Sequence, residues 1–322
     1  MRFSEYVPAV LAAASSFRQT LLGHTPSSVE QEWPGKKVDY YARNLKTVSS
    51  IYNLTVFPHN VPIIVNGSKA VPPGLFAPTA TGRVSPLGNF TGFDDSIEYF
   101  FALALVPSAP AYAVFTSAKV IEFSCGCAEV ASSVAYLETR VYAPGAPDHN
   151  KYLSTLKQVA FWKFDKHGAV LFYDAWIPNL DQWDFLALGH KNVSNPVIQS
   201  QIIRGVCSIV QQRCVGKDQQ YESMDDCVAN WSQKSFGTYA EVWGDNVVCR
   251  TIHVILTLVR PDAHCMHVGP TGGGKCVDWP YNNGYFDDNL LFGKPSGQTF
   301  ICPEKEHCHW PLEGQDVRLE LN

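Results

Sequence analysis

The sequence predicts an α+β domain followed by a helical, disulfide-rich domain. Three observations lead to this prediction: helical periodicity gives way to β-rich segments in the first half, the chain becomes helical again beyond GHKNVSNP, and eight of the ten cysteines lie after residue 200. A chain of 322 residues is long enough for two ordinary domains. We expect a leader over residues 1–30, an α+β domain over 31–190 and a cysteine-rich helical domain over 191–322.

Two helices are predicted early in the α+β domain. In VDYYARNLKTVSSIYNL, apolar residues recur at helical spacing. They are Val38, Tyr41, Leu45, Val48 and Tyr52. The segment FDDSIEYFFALAL has Asp94 and Asp95 in a favourable first turn, and this helix should end near Pro107. Between the helices, VPPGLFAPTATGRVSPLGNFTG is rich in turn-forming residues, and we expect no regular structure there.

Strands are predicted for the rest of this domain. Residues 118–142 are β-rich without a helical period, which indicates one bent strand or two strands meeting near Gly126. The segment QVAFWKFDKHGAVLFYDAWI predicts a hairpin that pairs Phe164 with Ala169. One face of that hairpin carries Trp162, Phe164, Leu171 and Tyr173, and the other carries Val159, Phe161, Lys163, Val170, Phe172, Asp174 and Trp176. A short helix at NLDQWDFLAL follows.

The order of these elements and the segment KFDKHGAVLFYDAWIPNLDQW resemble the SnoaL-like branch of the NTF2-like superfamily, over about residues 35–190. In that superfamily, N-terminal helices and a curved antiparallel sheet form a cone around a pocket. The resemblance implies a small hydrophobic ligand and, for an enzyme, cofactor-independent isomerisation, cyclisation or hydration. A carboxylate buried in such a pocket can act as a general acid or base, because desolvation raises its pKa.

The resemblance points to six candidate site residues. The catalytic candidates are Asp174, Glu98 and Tyr41, and the ligand-binding candidates are Trp176, Trp162 and Tyr173. Since side chains alternate along a strand, only one face of the hairpin can line the pocket. If the face of Trp162 is the concave one, Asp174 is excluded and Glu98 becomes the better candidate. The alternatives place Asp174 and Glu98 on solvated surfaces and Tyr41 in the core.

Three helices are predicted in the C-terminal domain. The segment NPVIQSQIIRGVCSIVQQRC has Asn195 as a plausible cap and Pro196 at the first helical position. Ser223 indicates a second helix start near Cys227. The segment DNVVCRTIHVILTLVRP predicts a third helix that ends at Pro261. Its expected apolar face consists of Val248, Ile252, Ile255 and Val259.

The cysteines predict an oxidising compartment, because a reducing cytosol would leave a dense cluster of free thiols. They are Cys125, Cys127, Cys207, Cys214, Cys227, Cys249, Cys265, Cys276, Cys302 and Cys308. Cys125 and Cys127 lie on the same side of an extended strand, so each is expected to pair with a different cysteine. The N-terminal segment MRFSEYVPAVLAAASSF is either a signal peptide cleaved after Ala14 or an ordinary helix.

Five N-x-S/T sequons add to the prediction of a secreted or ER/Golgi lumenal glycoprotein. They are at Asn53, Asn66, Asn89, Asn192 and Asn230. No apolar stretch approaches the ~20 residues that a membrane-spanning helix needs. The net charge of −5, without a run of Lys or Arg, argues against a nucleic-acid partner. The sequence leaves the oligomeric state open.

Two short motifs each allow a ligand-binding and a structural interpretation. In HVGPTGGGKC, Gly269, Gly274 and Lys275 match the spacing of a nucleotide-binding loop, but Cys276 replaces the Ser or Thr that would hold magnesium. A helix and a proline precede the motif where a buried strand is required, so we predict a disulfide-braced loop and no nucleotide. The histidines His253, His264 and His267 have spacing that permits a shared zinc or copper ion, or they are structural.

Three functions therefore remain open. The first is an enzyme with a pocket for a small hydrophobic molecule, and the second is a non-catalytic extracellular binding or interaction protein. The third is a metal-dependent oxidoreductase that uses the histidine and cysteine cluster. An open apolar cavity with a buried carboxyl group would favour the enzyme, whereas a cone packed with Phe and Trp would favour the binding protein.

Overall fold

A computed structural model describes residues 38–108, 111–189, 193–280 and 286–303 of the chain. The expected leader, the sequon at Asn192 and the cysteine Cys308 lie outside the described residues. None of the helices in the described ranges is both long enough and apolar enough to span a lipid bilayer. The expected α+β architecture followed by a helical, disulfide-bonded region is confirmed.

Both predicted N-terminal helices form, but the second is shorter than predicted. Helix α1 (Tyr40–Leu54) begins at Asp39, whose side chain accepts a hydrogen bond from the Ala42 main-chain N–H. Helix α2 (Val61–Asn66) and a 3₁₀ turn (Gly67–Ala70) follow. The second predicted helix is short: α3 (Phe93–Ile97) continues as a π-helical turn (Glu98–Ala102).

Six strands form one curved sheet in the order β2-β1-β6-β5-β4-β3. Their bounds are β1 Phe76–Ser85, β2 Gly88–Phe90, β3 Ala113–Cys127, β4 Val130–Val141, β5 Tyr152–Phe164 and β6 Val170–Trp176. The prediction of no regular structure before α3 is wrong, because β1 and β2 lie there. Strand β1 pairs antiparallel with β2, which follows it directly, and parallel with β6, which is distant in sequence.

The predicted hairpin is β5–β6, but its register differs from the prediction. Phe164 pairs with Val170 rather than Ala169, and a register shift follows before Lys163 pairs with Phe172. Leu171 therefore occupies the irregularity and does not share the face of Trp162. The bend predicted near Gly126 is the end of β3, and a tight turn leads into β4.

The concave face of the sheet packs against helix α1 and the π-helical turn. Trp162, Phe164 and Tyr173 on this face are each at most 1% exposed. They pack among Val48, Ile51, Tyr52, Phe76, Tyr99, Phe100 and Phe101. Phe100 stacks on Trp162 with ring centroids 5.9 Å apart. Aromatic rings thus line the interior of the cone formed by β1–β6, α1 and α3.

Helices dominate the C-terminal region. The short helix predicted after the hairpin, α4 (Leu180–Ala187), still belongs to the cone, whose core includes Leu180. The C-terminal helices are α5 Pro196–Arg213, α6 Met224–Ser232, α7 Val247–Leu256, α8 Pro261–Val268 and α9 Asp288–Phe292. The predicted caps are confirmed, because Asn195 accepts from the Val197 N–H and Ser223 accepts from the Asp226 N–H. The predicted apolar face of α7 is wrong at Ile255, which is 45% exposed. Pro261 starts a new helix, as its fixed φ favours.

Disulfides connect these helices to one another and to the sheet. Three lie within the helical region: Cys207–Cys227, Cys214–Cys265 and Cys249–Cys276. A fourth, Cys127–Cys302, attaches the segment after α9 to the end of β3. Cys125 is also disulfide-bonded, and the described residues contain no free cysteine. The pairing of Cys127 outside its own strand agrees with the prediction.

The helices around the disulfides form their own buried cluster, in which Val206, Cys207, Val210, Trp231 and Val268 are nearly inaccessible. Val242 and Val248, however, belong to the core of the cone. The cone and the helical region therefore share a packed boundary. The domain boundary between residues 190 and 191 remains a prediction.

Candidate functional site

A cavity of about 240 Å³ lies where the cone meets the helical region, and we refer to it as the junction pocket. Its walls are mostly apolar, and polar groups gather at one part of them. The apolar lining includes Leu87, Phe90, Val242, Trp243, Ile252, Leu256, Trp279, Leu290 and Leu291. The polar lining includes Asn89, Thr91, Asp95, Glu98, His253, His264 and Lys275. Mostly apolar walls with a few convergent polar groups are typical of small-molecule sites.

Glu98 is the most deeply buried carboxylate of this pocket, with 4% of the residue exposed. It lies in the π-helical turn, and two groups from the α7–α8 corner satisfy it. His264 Nε2 lies 2.8 Å from Glu98 Oε2, and Arg260 Nε lies 2.6 Å from Glu98 Oε1. A carboxylate removed from water is expected to have such partners, because an unpaired buried charge is very costly.

Asp95 lies one helical turn before Glu98 and extends the ion-pair network. Arg260 donates to Asp95 Oδ1 at 2.6 Å, and Lys275 Nζ lies 3.5 Å from Asp95 Oδ2. Burial acts to raise the pKa of Asp95, but Lys275 and Arg260 outweigh it and hold this pKa below its usual value. Hydrogen bonds to Glu98 and Asp95 likewise raise the pKa of Arg260 against the effect of burial.

The nucleotide-loop-like stretch contributes to this site in another way. Lys275 donates to the main-chain oxygen of Asn89 at 2.9 Å, so its ammonium group connects the loop to β2. Cys276, in place of the Ser or Thr of a nucleotide-binding loop, forms the disulfide with Cys249. The stretch follows helix α8 rather than a strand.

The three histidines predicted as possible metal ligands converge beside Glu98. His253 lies on α7, and His264 and His267 lie on α8. The Nδ1 atoms of His253 and His264 are 3.1 Å apart, and those of His253 and His267 are 3.2 Å apart. Burial, assisted by the neighbouring rings, lowers the pKa of His253 well below its usual value. The same causes lower the pKa of His267 to about 4, so both rings are neutral at neutral pH.

The structure separates the residues proposed from the hairpin. Trp162 and Tyr173 lie on the concave face, inside the packed core. Asp174 lies on the convex face, where its Oδ2 is 2.5 Å from the Arg83 guanidinium. Trp176 lies on that same face and is 56% exposed. None of the four lines the junction pocket.

Of the other two candidates, Glu98 lines the junction pocket and Tyr41 does not. The Tyr41 ring is half-buried and meets Phe123 of β3 edge-on, with centroids 5.2 Å apart. The structure thus brings together Glu98 and the three histidines, which were predicted separately.

Sequence reasoning missed Asp95, Arg260 and Lys275 as members of the site. The spacing of Asp95 and Glu98 places two carboxylates on one helical face, which was a usable signal. Lys275 was noted only as part of the nucleotide-loop-like motif, and nothing marked Arg260. The partners of both residues are more than 160 residues away in sequence.

Comparison with known proteins relates the chain to fungal biosynthetic proteins. The sequence model of the BfoA family C-terminal domain matches residues 172–279. A bifonsecin B biosynthesis cluster protein A from Aspergillus brasiliensis is 26% identical over 268 residues, covering 78% of this chain and 88% of the relative. An aurasperone B biosynthesis cluster protein A from Aspergillus niger is 24% identical over 309 residues, covering 90% and 94%.

Solved structures that align with part of the chain include a candidate SnoaL-like polyketide cyclase from Jannaschia sp. CCS1. It is 11% identical, with a TM-score of 0.32, and the match covers 47% of this chain and 96% of that one.

Proposed function

We propose that this protein binds a small, largely apolar intermediate of secondary metabolism in the junction pocket and promotes its cyclisation, isomerisation or hydration. The observation that carries the proposal is a pocket with apolar walls and a buried carboxylate, Glu98, among its polar groups. The relatives from two fungal biosynthesis clusters support a role in secondary metabolism.

The pocket suits a flat aromatic molecule that carries a hydroxyl or carbonyl group. Trp243, Trp279 and Phe90 supply aromatic surface, against which such rings pack in stacked or edge-to-face contacts. Lys275, Glu98 and His264 supply donors and acceptors at fixed positions. Groups fixed in this way stabilise charge that develops on an oxygen during reaction without first having to reorganise.

A non-catalytic binding protein is the second candidate, and one specific observation favours it. The interior of the cone, where the resemblance implied a ligand, is lined by packed aromatic rings such as Phe100, Trp162 and Tyr173. In this alternative, the junction pocket would hold and carry a metabolite without changing it.

Binding at the junction pocket is tested with 2-naphthol as the probe, by isothermal titration calorimetry. Ile252 lines the pocket, whereas Ile255 on the same helix is exposed, so the two residues form a matched pair. Ile252→Trp should fill the pocket and abolish binding, while Ile255→Trp should bind as the wild type does. Equal binding by all three proteins would refute the assignment of the pocket.

Turnover separates the two candidates. The gene is deleted in the source organism, and the metabolite that accumulates is identified by mass spectrometry and incubated with the purified protein. An enzyme converts this metabolite, and the Ile252→Trp variant does not. If the wild-type protein binds the metabolite and leaves it unchanged, the binding function replaces the catalytic one.

Secretion, or residence in the ER or Golgi lumen, is part of the same proposal. Four disulfides between described residues support an oxidising compartment. Expression in a eukaryotic host should deliver the protein to the medium. Retention in the cytosol would contradict this part of the proposal.

A further inference from the structure

The three-histidine cluster has a geometry that the pocket alone does not explain. The Nδ1 atoms of His264 and His267 both lie close to Nδ1 of His253, and the potential ligand atoms of the three residues lie within 4.8 Å of one another. Two residues of the cluster are deeply buried, with His264 at 4% and His267 at 9% exposure. Three imidazoles from two helices therefore approach one another through their Nδ1 atoms.

Hydrogen bonds between the rings account poorly for this arrangement. An imidazole nitrogen carries either one proton or one lone pair, so it makes one good in-plane hydrogen bond. The Nδ1 atom of His253, however, has two nitrogen neighbours, at 3.1 and 3.2 Å. At most one of these contacts is a well-formed N–H···N bond.

A shared metal ion accounts for both contacts. Nitrogen ligands lie about 2.0–2.1 Å from zinc in a tetrahedral site, which places two such ligands roughly 3.3–3.4 Å apart. The observed separations of 3.1 and 3.2 Å are close to that value. Small movements of the rings would complete the geometry.

The surroundings of His264 support the same interpretation. Its Nε2 lies 2.8 Å from the Glu98 carboxylate, and because a carboxylate only accepts hydrogen bonds, Nε2 is the donor there and Nδ1 is the nitrogen left to bind an ion. Histidines that bind metals commonly donate their second N–H to a carboxylate in this way. Arg260, paired with Glu98, holds the carboxylate in place.

The neighbouring sulfurs do not compete as ligands. Cys249 and Cys276 lie close to His253, but they are joined in a disulfide and offer no thiolate. The donor set is therefore three imidazole nitrogens, which suit zinc or copper. His253 and His264 also line the junction pocket, so an ion bound by these rings would have an open coordination position on the side of that cavity.

We propose that His253, His264 and His267 bind one divalent zinc or copper ion through their Nδ1 atoms, with Glu98 as the partner of His264 and an open position towards the junction pocket. Three protein ligands and one open position are typical of catalytic rather than structural metal sites. This proposal does not depend on which molecule the pocket binds. If the ion is present, any reaction in the pocket would be metal-assisted rather than cofactor-independent.

The test uses the full chain, purified through a tag that contains no histidine and dialysed against a chelator. Zn²⁺ and, separately, Cu²⁺ are titrated into it by calorimetry, and bound metal is counted by mass spectrometry. We expect one ion per chain and a rise in Tm, because an ion that binds only the folded state stabilises it. A wild-type protein that takes up neither ion overturns the proposal.

Variants locate the site. His253→Gln and His267→Gln should each lose stoichiometric binding, whereas His167→Gln, in the exposed β5–β6 turn, should bind as the wild type does. Glu98→Gln should weaken binding by about 10–100-fold, as expected for loss of a carboxylate that orients a ligand. Folding of each variant is checked by its circular dichroism and thermal transition. Undiminished binding in folded His253→Gln and His267→Gln variants would refute the assignment of the ligands.

Discussion

The ring of Tyr173 on β6 lies directly against the main chain of Gly82 on β1. The two residues are partners in the parallel β1–β6 ladder, and a Cβ atom added to Gly82 would overlap with the Tyr173 ring. The absence of a side chain at residue 82 is therefore what allows a fully buried tyrosine to lie beside β1 on the concave face of the sheet.

Gly82→Ala should lower the free energy of unfolding by about 1–3 kcal/mol, because the methyl group overpacks a core that has no room for it. The measurement is urea unfolding followed by circular dichroism. Tyr173→Leu, which removes the ring, should make the added methyl group less harmful, so the double variant should be more stable than the sum of the two effects predicts. Strict additivity would show that the two residues do not interact.

Glu98→Gln should lower the free energy of unfolding by about 1–3 kcal/mol, since it removes the charge that Arg260 and His264 share. Asp94→Asn is the matched control. Asp94 is half-exposed and 3.9 Å from Arg260, so its replacement should change stability by less than about 0.5 kcal/mol. Thermal and urea unfolding measure both effects. Equal effects of the two substitutions would contradict the special position of Glu98.

Cys276→Ser completes the nucleotide-loop signature on paper but breaks the Cys249–Cys276 disulfide. We expect it to destabilise the protein by about 2–5 kcal/mol and to confer no affinity for ATP. Differential scanning fluorimetry with and without ATP checks both expectations. Labelling the denatured, unreduced protein should find no free thiols in the wild type and one in the variant. A stable variant whose Tm rises with ATP would reverse the interpretation of this loop.

N-glycans are expected at Asn53 and Asn66, whose residues are exposed, in protein secreted from a eukaryotic host. The side-chain oxygen of Asn89 is buried, and the residue lines the junction pocket, so a glycan there would obstruct the fold. Asn53→Gln and Asn66→Gln should each remove one glycan in intact-mass spectra, and Asn89→Gln should remove none. Loss of a glycan in the Asn89→Gln variant would contradict the burial of Asn89 in the junction pocket.

Local signals predicted much of the fold, because helix caps and strand alternation act over a few residues. Helix α1, the cap at Asn195 and the β5–β6 hairpin followed from such signals. Strand β1 did not, because its partner β6 is distant in sequence and its proline and glycine are typical of a loop. The register of the hairpin was missed because nothing in the sequence marks the irregularity at Leu171.

The candidate site was only partly predictable for the same reason. Glu98 and His264 were each singled out, but their hydrogen bond joins residues 166 positions apart. The periodicity of a segment shows which residues share a face and not which other segment packs on it. The choice between Asp174 and Glu98 likewise depended on the curvature of the sheet, which single-strand patterns do not determine.

The Cys127–Cys302 disulfide closes a loop of 175 residues that includes the whole connection between the cone and the helices. A protease that cuts once within residues 190–192 would therefore not release two fragments. The nicked chain would migrate as one species on a non-reducing gel and split only after reductant is added. In an extracellular setting rich in proteases, this cross-link would keep both walls of the junction pocket together after such a cut.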